Sequence, residues 1–173
     1  DKIYYMGAEK LIKAAAGSNT VLKGKFVANA DLTVANVKFA PNAISSTNLD
    51  SGTYGTYVVG GYSAIVTVNK VAAYFEGCEF DGGANYVVGI NYFGDAAGKV
   101  LNVNNCTFNQ SYIYSKVLCN ITNNTFNLNE CPYPICVWPR PAGSTNSSCA
   151  FVGNTVNSNF NSTGKAHCYV MLL

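Results

Sequence analysis

The sequence predicts an all-β chain wound as a right-handed parallel β-helix: one domain over 1–173, a capping helix at 7–16 and β-coils from 20 onward. Two observations carry this. The first is a recurring unit, Val103-Asn-Asn-Cys-Thr-Phe108, with its near-copy Ile121-Thr-Asn-Asn-Thr-Phe126. The same pattern recurs from Val34 to Phe39, from Phe75 to Phe80 and from Phe151 to Val156. Each unit runs from an apolar residue through a small turn-former to an apolar anchor five positions on. In a plain strand those two ends would face opposite ways. A bend at the Asn or Gly corrects this, because both tolerate the left-handed backbone. Recurrence of such a bent unit is how a stacked array is written into a sequence. The second observation is composition. Hydrophobic residues make up 49% but charged ones only 12%, about half the share on an ordinary globular surface. Solubility then rests on Asn, Ser, Thr and Gly, which suits a polar β surface better than a helical one.

Residues 7–16 are the segment with helical spacing. Ala8, Leu11, Ile12, Ala15 and Ala16 fall on one side, Glu9 and Lys13 form an i,i+4 pair, and Gly17 supplies a stop. A short amphipathic helix ahead of a β array is placed to cover the apolar interior of its first layer. From Thr20 the chain reads as short strands with polar corners. Val21 to Phe26 leads into Leu32-Thr-Val34; Pro41 to Gly55 reads as a projecting loop; Ala64 to Val68 precedes the second unit. Asp81-Gly-Gly is a turn, Tyr86 to Phe93 a strand region, and Val117 to Ile121 opens the fourth unit. Cys131 to Pro141 carries too much proline for a central strand, and Cys168 to Leu173 reads as a closing strand. The anchors Phe39, Phe80, Phe108, Phe126 and Val156 are 41, 28, 18 and 30 apart. Solenoid units cover most of these gaps, with 41 read as two shorter turns. A hairpin sandwich would want tight Asn-Gly or Asp-Gly turns, and only Asp81-Gly82 offers one.

Charge and cysteines exclude several functions. Net charge is +2, the lysines are scattered and Arg140 is the single arginine, so nucleic acid is not an expected partner. No apolar run approaches the ~20 residues of a membrane span. The start at Asp1 shows no signal peptide and reads as a processed or excised end. Seven cysteines leave at least one unpaired, and their spacing matches no metal site; no cofactor is implied. Cys78 and Cys106 hold the same place in the unit, which suggests thiols stacked in successive layers. Cys131 and Cys136 flank Pro-Tyr-Pro-Ile and are spaced for a small disulfide loop, a reading the sequence favours less than free thiols. Six Asn-x-Ser/Thr sequons read as accidents of an Asn-rich composition.

The units Leu101-Asn-Val-Asn-Asn-Cys-Thr-Phe108 and Cys119-Asn-Ile-Thr-Asn-Asn-Thr-Phe126 resemble coils of the pectate-lyase-like β-helix superfamily, over roughly Leu32 to the C-terminus. That superfamily includes polysaccharide lyases and hydrolases, phage tailspikes and fibres, and bacterial adhesins, so the resemblance implies a fold before a function. Phe26-Val-Ala-Asn29, Phe126-Asn-Leu-Asn129 and Phe151-Val-Gly-Asn154 also match the FxxN repeat of chlamydial-type autotransporter adhesins. Those adhesins pair it with Gly-Gly-Ala-aliphatic, whereas Gly82-Gly83-Ala84 here is followed by Asn85.

For an enzyme, the resemblance implies carboxylates on calcium with an Arg or Lys base in a lyase, or paired acids in a hydrolase. Among nine carboxylates the local cluster is Glu76, Glu79 and Asp81, with Asp95 a candidate to join it in space. Glu79 and Asp81 are two apart and share a strand face, a paired-carboxylate candidate. The competing reading, solvated residues at a turn, is the one the sequence favours. His167 has no nucleophile partner at a recognisable spacing.

Binding has more to stand on. Twelve tyrosines are many for this length, and Tyr54, Tyr57, Tyr62, Tyr86, Tyr92, Tyr112, Tyr114 and Tyr133 lie near polar corners. Tyrosine supplies contact area and a hydroxyl together, which suits a neutral sugar or a receptor surface. Trp138 beside Arg140, with Tyr133, Tyr112 and Tyr114, makes up the expected ligand contacts. Packing between coils is the competing role for about half of these tyrosines. Asn102, Asn104, Asn105, Asn123 and Asn124 are expected to form structural amide ladders. Ice binding would want regular threonine rows, which Thr33, Thr67 and Thr107 do not form. The functional expectation is therefore a non-enzymatic exterior domain of a phage fibre or tailspike, on the virion exterior or cell surface. It would be a homotrimer, through its apolar end Tyr169 to Leu173, and would bind a host-surface glycan or protein. The alternatives are a bacterial surface adhesin, and a polysaccharide lyase or hydrolase using Glu79, Asp81 and Asp95.

Overall fold

A computed structural model describes residues 2–5, 11–40, 64–83, 87–93, 99–115, 119–128, 135–137 and 149–158. Those residues form eighteen strands and no helix. The chain visits three sheets, A, B and C, in the same order in six rounds. The first round is β1 (Lys2–Tyr5), β2 (Leu11–Lys13) and β3 (Val21–Lys23), and the second β4 (Lys25–Ala28), β5 (Leu32–Ala35) and β6 (Lys38–Ala40). The third is β7 (Ala64–Asn69), β8 (Ala73–Glu76) and β9 (Glu79–Asp81), and the fourth β10 (Val87–Phe93), β11 (Leu101–Asn104) and β12 (Thr107–Asn109). The fifth is β13 (Ser111–Ser115), β14 (Cys119–Thr122) and β15 (Thr125–Leu128), and the sixth β16 (Ile135–Val137), β17 (Cys149–Val152) and β18 (Thr155–Ser158). Every pairing joins a strand to its counterpart in the next round, and every pairing is parallel. The architecture is all-β and parallel, consistent with a parallel β-helix.

The recurring unit is the corner from sheet B to sheet C. Its first residue is left-handed in each later round: Asn36 (φ 58°), Gly77 (58°), Asn105 (54°), Asn123 (56°) and Gly153 (67°). This bend turns the chain so that both apolar ends of the unit point inward. It also strands a backbone donor. The first corner residue donates normally to the next round, as Gly77 N–H does to the Asn104 carbonyl (3.1 Å) and Asn105 N–H to that of Thr122 (3.1 Å). The second corner residue donates instead to the next round's side chain at that same position. Cys78 N–H donates to Cys106 Sγ (3.3 Å), Cys106 N–H to Asn124 Oδ1 (2.8 Å) and Asn124 N–H to Asn154 Oδ1 (2.8 Å). The two asparagines also donate back, Asn124 Nδ2 to the Val103 carbonyl (3.0 Å) and Asn154 Nδ2 to that of Ile121 (2.8 Å), whereas Cys106 Sγ donates to the Asn104 carbonyl of its own round (3.2 Å). The expected stacking of Cys78 over Cys106 is present, and the column continues as asparagine. Burial pushes the Cys106 thiol well above the ordinary thiol range, so it remains protonated and able to donate.

Inside the corner the anchors form one file. Leu22, Phe39, Phe80, Phe108, Phe126 and Val156 are successive register partners in sheet C. The rings of Phe39, Phe80, Phe108 and Phe126 stack at 5.2, 4.7 and 4.7 Å with planes 10–13° apart. Sheet B adds the file Ile12, Val34, Phe75, Val103, Ile121 and Phe151, with Phe75 edge-on to Phe80 at 5.5 Å. Aromatic pairs of this kind contribute about 0.5–1.5 kcal/mol beyond their area. Sheet A differs from B and C. Outward residues Ile65, Asn91, Tyr112 and Tyr114 are buried along with inward Val66, Ile90 and Ile113, so both faces are covered.

Two expectations need correction. Residues 7–16 do not form a capping helix: Leu11–Lys13 is strand β2, paired with β5, while residues 6–10 lie outside the described set. A helix this short is marginal alone, and the strand places Ile12 beside Val34 in the sheet B file. The 41-residue gap from Phe39 to Phe80 is one round and not two turns, since these residues pair directly; residues 41–63 lie outside the described set.

The corner ladder generates a test by substitution. Asn124→Leu removes the acceptor for Cys106 N–H and the donor to Val103, and is expected to lower unfolding free energy by about 2–4 kcal/mol. Asn124→Cys, which keeps both roles in weaker form, is expected to cost less than half as much in the same urea titration.

Candidate functional site

Alternation along sheets B and C exports every second side chain. On sheet B the outward residues of rounds two to five are Thr33 and Ala35, Tyr74 and Glu76, Asn102 and Asn104, then Asn120 and Thr122. They are joined across rounds. Tyr74 donates its phenol proton to Glu76 Oε2 (2.5 Å), and Asn104 Nδ2 donates to the same oxygen (2.8 Å). Thr122 Oγ1 and Asn123 Nδ2 donate to Asn104 Oδ1 (2.8 and 3.1 Å), and Asn120 Nδ2 donates to Asn102 Oδ1 (2.9 Å). Asn102, Asn104 and Asn123 therefore take part in amide ladders, as Asn124 does at the corner, while Asn105 contributes its backbone N–H. The Glu76 carboxylate holds the Tyr74 proton and raises the phenol above its ordinary range, so Tyr74 stays a donor.

On sheet C, Lys38 Nζ lies 2.9 Å from both Glu79 Oε1 and Asp81 Oδ2. Asn109 Nδ2 donates to Glu79 Oε1 (2.9 Å), Asn127 Nδ2 to Asn109 Oδ1 (2.8 Å) and Asn157 Nδ2 to Asn127 Oδ1 (2.9 Å). Hydrogen bonds to Asp81 and Glu79 hold Lys38 above the ordinary lysine range. Partial burial alone would raise the Asp81 carboxyl, but Lys38 and the Gly83 N–H outweigh it and hold it below the ordinary carboxylate range. At the corner from sheet A to sheet B, Lys99 Nζ binds both oxygens of Asp31 (2.9 and 2.7 Å), and Asp31 Oδ1 accepts the Ala72 N–H (2.9 Å).

Glu79 and Asp81 do share a face, as their spacing implied, and one lysine bridges them. Asp95, Tyr133, Trp138 and Arg140 lie outside the described residues, as do His167 and the end Tyr169 to Leu173. Tyr112 and Tyr114 sit on sheet A, each 2% exposed. Tyr92 is interior, its hydroxyl has no partner, and burial pushes its pKa up to about 12. The three FxxN matches fall on three different sheets, at β4, β15 and β17, so they do not mark one repeating position. Among the described residues no group of three or more His, Cys, Asp or Glu is placed to hold a metal. Among the described residues no helix is long and apolar enough to cross a membrane.

Sequence reasoning missed Tyr74, 37% exposed in mid-sheet, and Lys38. The signal for Tyr74 was present: Phe75 opens a recurring unit and points inward, so its neighbour must point outward. Lys38 is brought to Glu79 by strand register alone.

No protein-family model, no curated protein and no solved structure matches the chain.

The lysine bridge predicts a pH profile. A raised Lys38 pKa gives stability that is present below the ordinary lysine range and lost as pH climbs through the folded value. A depressed Asp81 pKa gives stability that is present above the ordinary carboxylate range and lost as pH falls through the folded value. Lys38→Met is therefore expected to cost about 0.2–1 kcal/mol near neutrality. That difference should shrink at both pH extremes and in high salt, as read by urea unfolding.

Proposed function

We propose that this chain is a right-handed parallel β-helix serving as a non-enzymatic attachment domain of an exterior fibre or tailspike. It assembles as a homotrimer and binds a host-surface glycan or protein. The observation that carries the reading is the regular rotation through three parallel sheets, two of which present hydroxyl and amide columns outward. Parallel strands joined by crossovers are right-handed in about 98% of cases, which supports the handedness. Outward amides bonded round to round are held in place before any ligand arrives, which lowers the cost of binding.

The state of the carboxylates supports a non-catalytic role. Proton transfer near neutrality wants an acid raised or a base lowered toward working pH. Asp81 is depressed and Lys38 raised, the opposite direction for both. The thiols support the setting. Cys78 and Cys106 are buried thiols outside any disulfide, as suits a part folded in a reducing compartment before release.

Multi-angle light scattering of the purified chain, with and without reductant, tests the assembly. A trimer insensitive to reductant is the expected result; a stable monomer overturns the fibre reading.

A further inference from the structure

Among the described residues Glu76 is the carboxylate with no cation. Asp31 pairs with Lys99, and Glu79 and Asp81 pair with Lys38. Glu76 instead uses Oε2 for two neutral donors, Tyr74 and Asn104, and keeps Oε1 unoccupied. Beside it the Tyr74 ring, 37% exposed, leans along the strand toward the carboxylate that holds its hydroxyl. A fixed aromatic ring and an unneutralised carboxylate on one strand face are together complementary to a positively charged group. The surroundings narrow what carries that charge. In register on one side are Thr33 and Ala35, whose small side chains leave the carboxylate accessible. On the other side Asn102 keeps its amide N–H groups without a partner, its oxygen being taken by Asn120. The register neighbours of Tyr74 and Glu76 thus offer hydroxyl, amide and methyl groups, which suit a sugar; Leu11 and Lys13 lie one strand further on, beyond Thr33 and Ala35.

We propose that the outward face of sheet B at Tyr74 and Glu76 is a binding site for an amino sugar with an unsubstituted amine, within a glycan chain. The ammonium group lies against Glu76 Oε1 and the Tyr74 ring, and Asn102 and Thr33 take the sugar hydroxyls. This assignment rests on the attachment reading above and specifies its ligand.

The test titrates the whole chain by calorimetry with oligomers of glucosamine, of N-acetylglucosamine and of glucose, all of equal length. Tyr74→Ala and Glu76→Gln variants, shown to be folded by circular dichroism, are titrated in parallel. The glucosamine oligomer is expected to bind best, more weakly as salt rises. Each substitution is expected to weaken it about tenfold, and Glu76→Gln to erase the preference over the acetylated form. Equal binding of the acetylated oligomer to the native chain, or indifference to Glu76→Gln, overturns the assignment. So does an oligolysine peptide that binds as tightly with the same dependence on both residues. Binding of another glycan untouched by both substitutions overturns this site and leaves the attachment reading standing. Absence of binding to any glycan class removes glycan attachment as well.

Discussion

A left-handed residue between sheets B and C leaves one backbone N–H per round facing the next round's side chain instead of a carbonyl. A buried N–H without a partner costs about 1–3 kcal/mol, so an array with several such corners cannot leave them open. The column of Cys78, Cys106, Asn124 and Asn154 closes them. Position in the round thus dictates chemistry: a small side chain with an acceptor for the previous round and a donor to the carbonyl behind it. Sulfur meets this weakly and an amide fully, which explains why two cysteines and then two asparagines occupy a site that otherwise looks apolar. Val37, in the second round, is exempt because the first round turns through a longer corner, Ala14 to Thr20, with no counterpart at that position.

The same bend fixes which residues face in and out. With the corner closed, Phe80, Phe108 and Phe126 fall into register and stack, and the residues flanking each ring are exported as a pair. Glu79 and Asp81, then Thr107 and Asn109, then Thr125 and Asn127 are such pairs. Outward chemistry is therefore repetitive because the inward file is repetitive. Where a round substitutes charge for amide, as at Glu76 or at Glu79 and Asp81, the surface acquires its individual features. Glycine enters through the same geometry. Gly77 is left-handed, and a Cβ there would meet Asn36 Oδ1 at 2.7 Å, so this round cannot carry the asparagine found in its neighbours without displacing that amide.

Much of this is legible in the sequence because the corner is local: six consecutive residues hold the bend, the column and both inward ends, from Val103 to Phe108 for example. What is not legible depends on contacts between rounds. Leu11–Lys13 lies in a stretch with helical spacing and becomes a strand because β5 offers Ile12 a place beside Val34. The pairing of Phe39 with Phe80 skips a long segment that carries no spacing information about its own path. Tyr112 and Tyr114 look like surface tyrosines beside polar residues, yet sheet A is covered on both faces. Lys38 and Glu79 are 41 residues apart and meet only through register.

Amide hydrogen exchange at Cys106 tests the corner most directly. Its N–H should be as protected as those of Val103 and Phe108 in the native chain. In an Asn124→Ala variant that protection should fall sharply at Cys106 while Val103 keeps its own. Rapid exchange at Cys106 in the native chain, or protection untouched by the substitution, would contradict the ladder and with it the proposed basis of the fold.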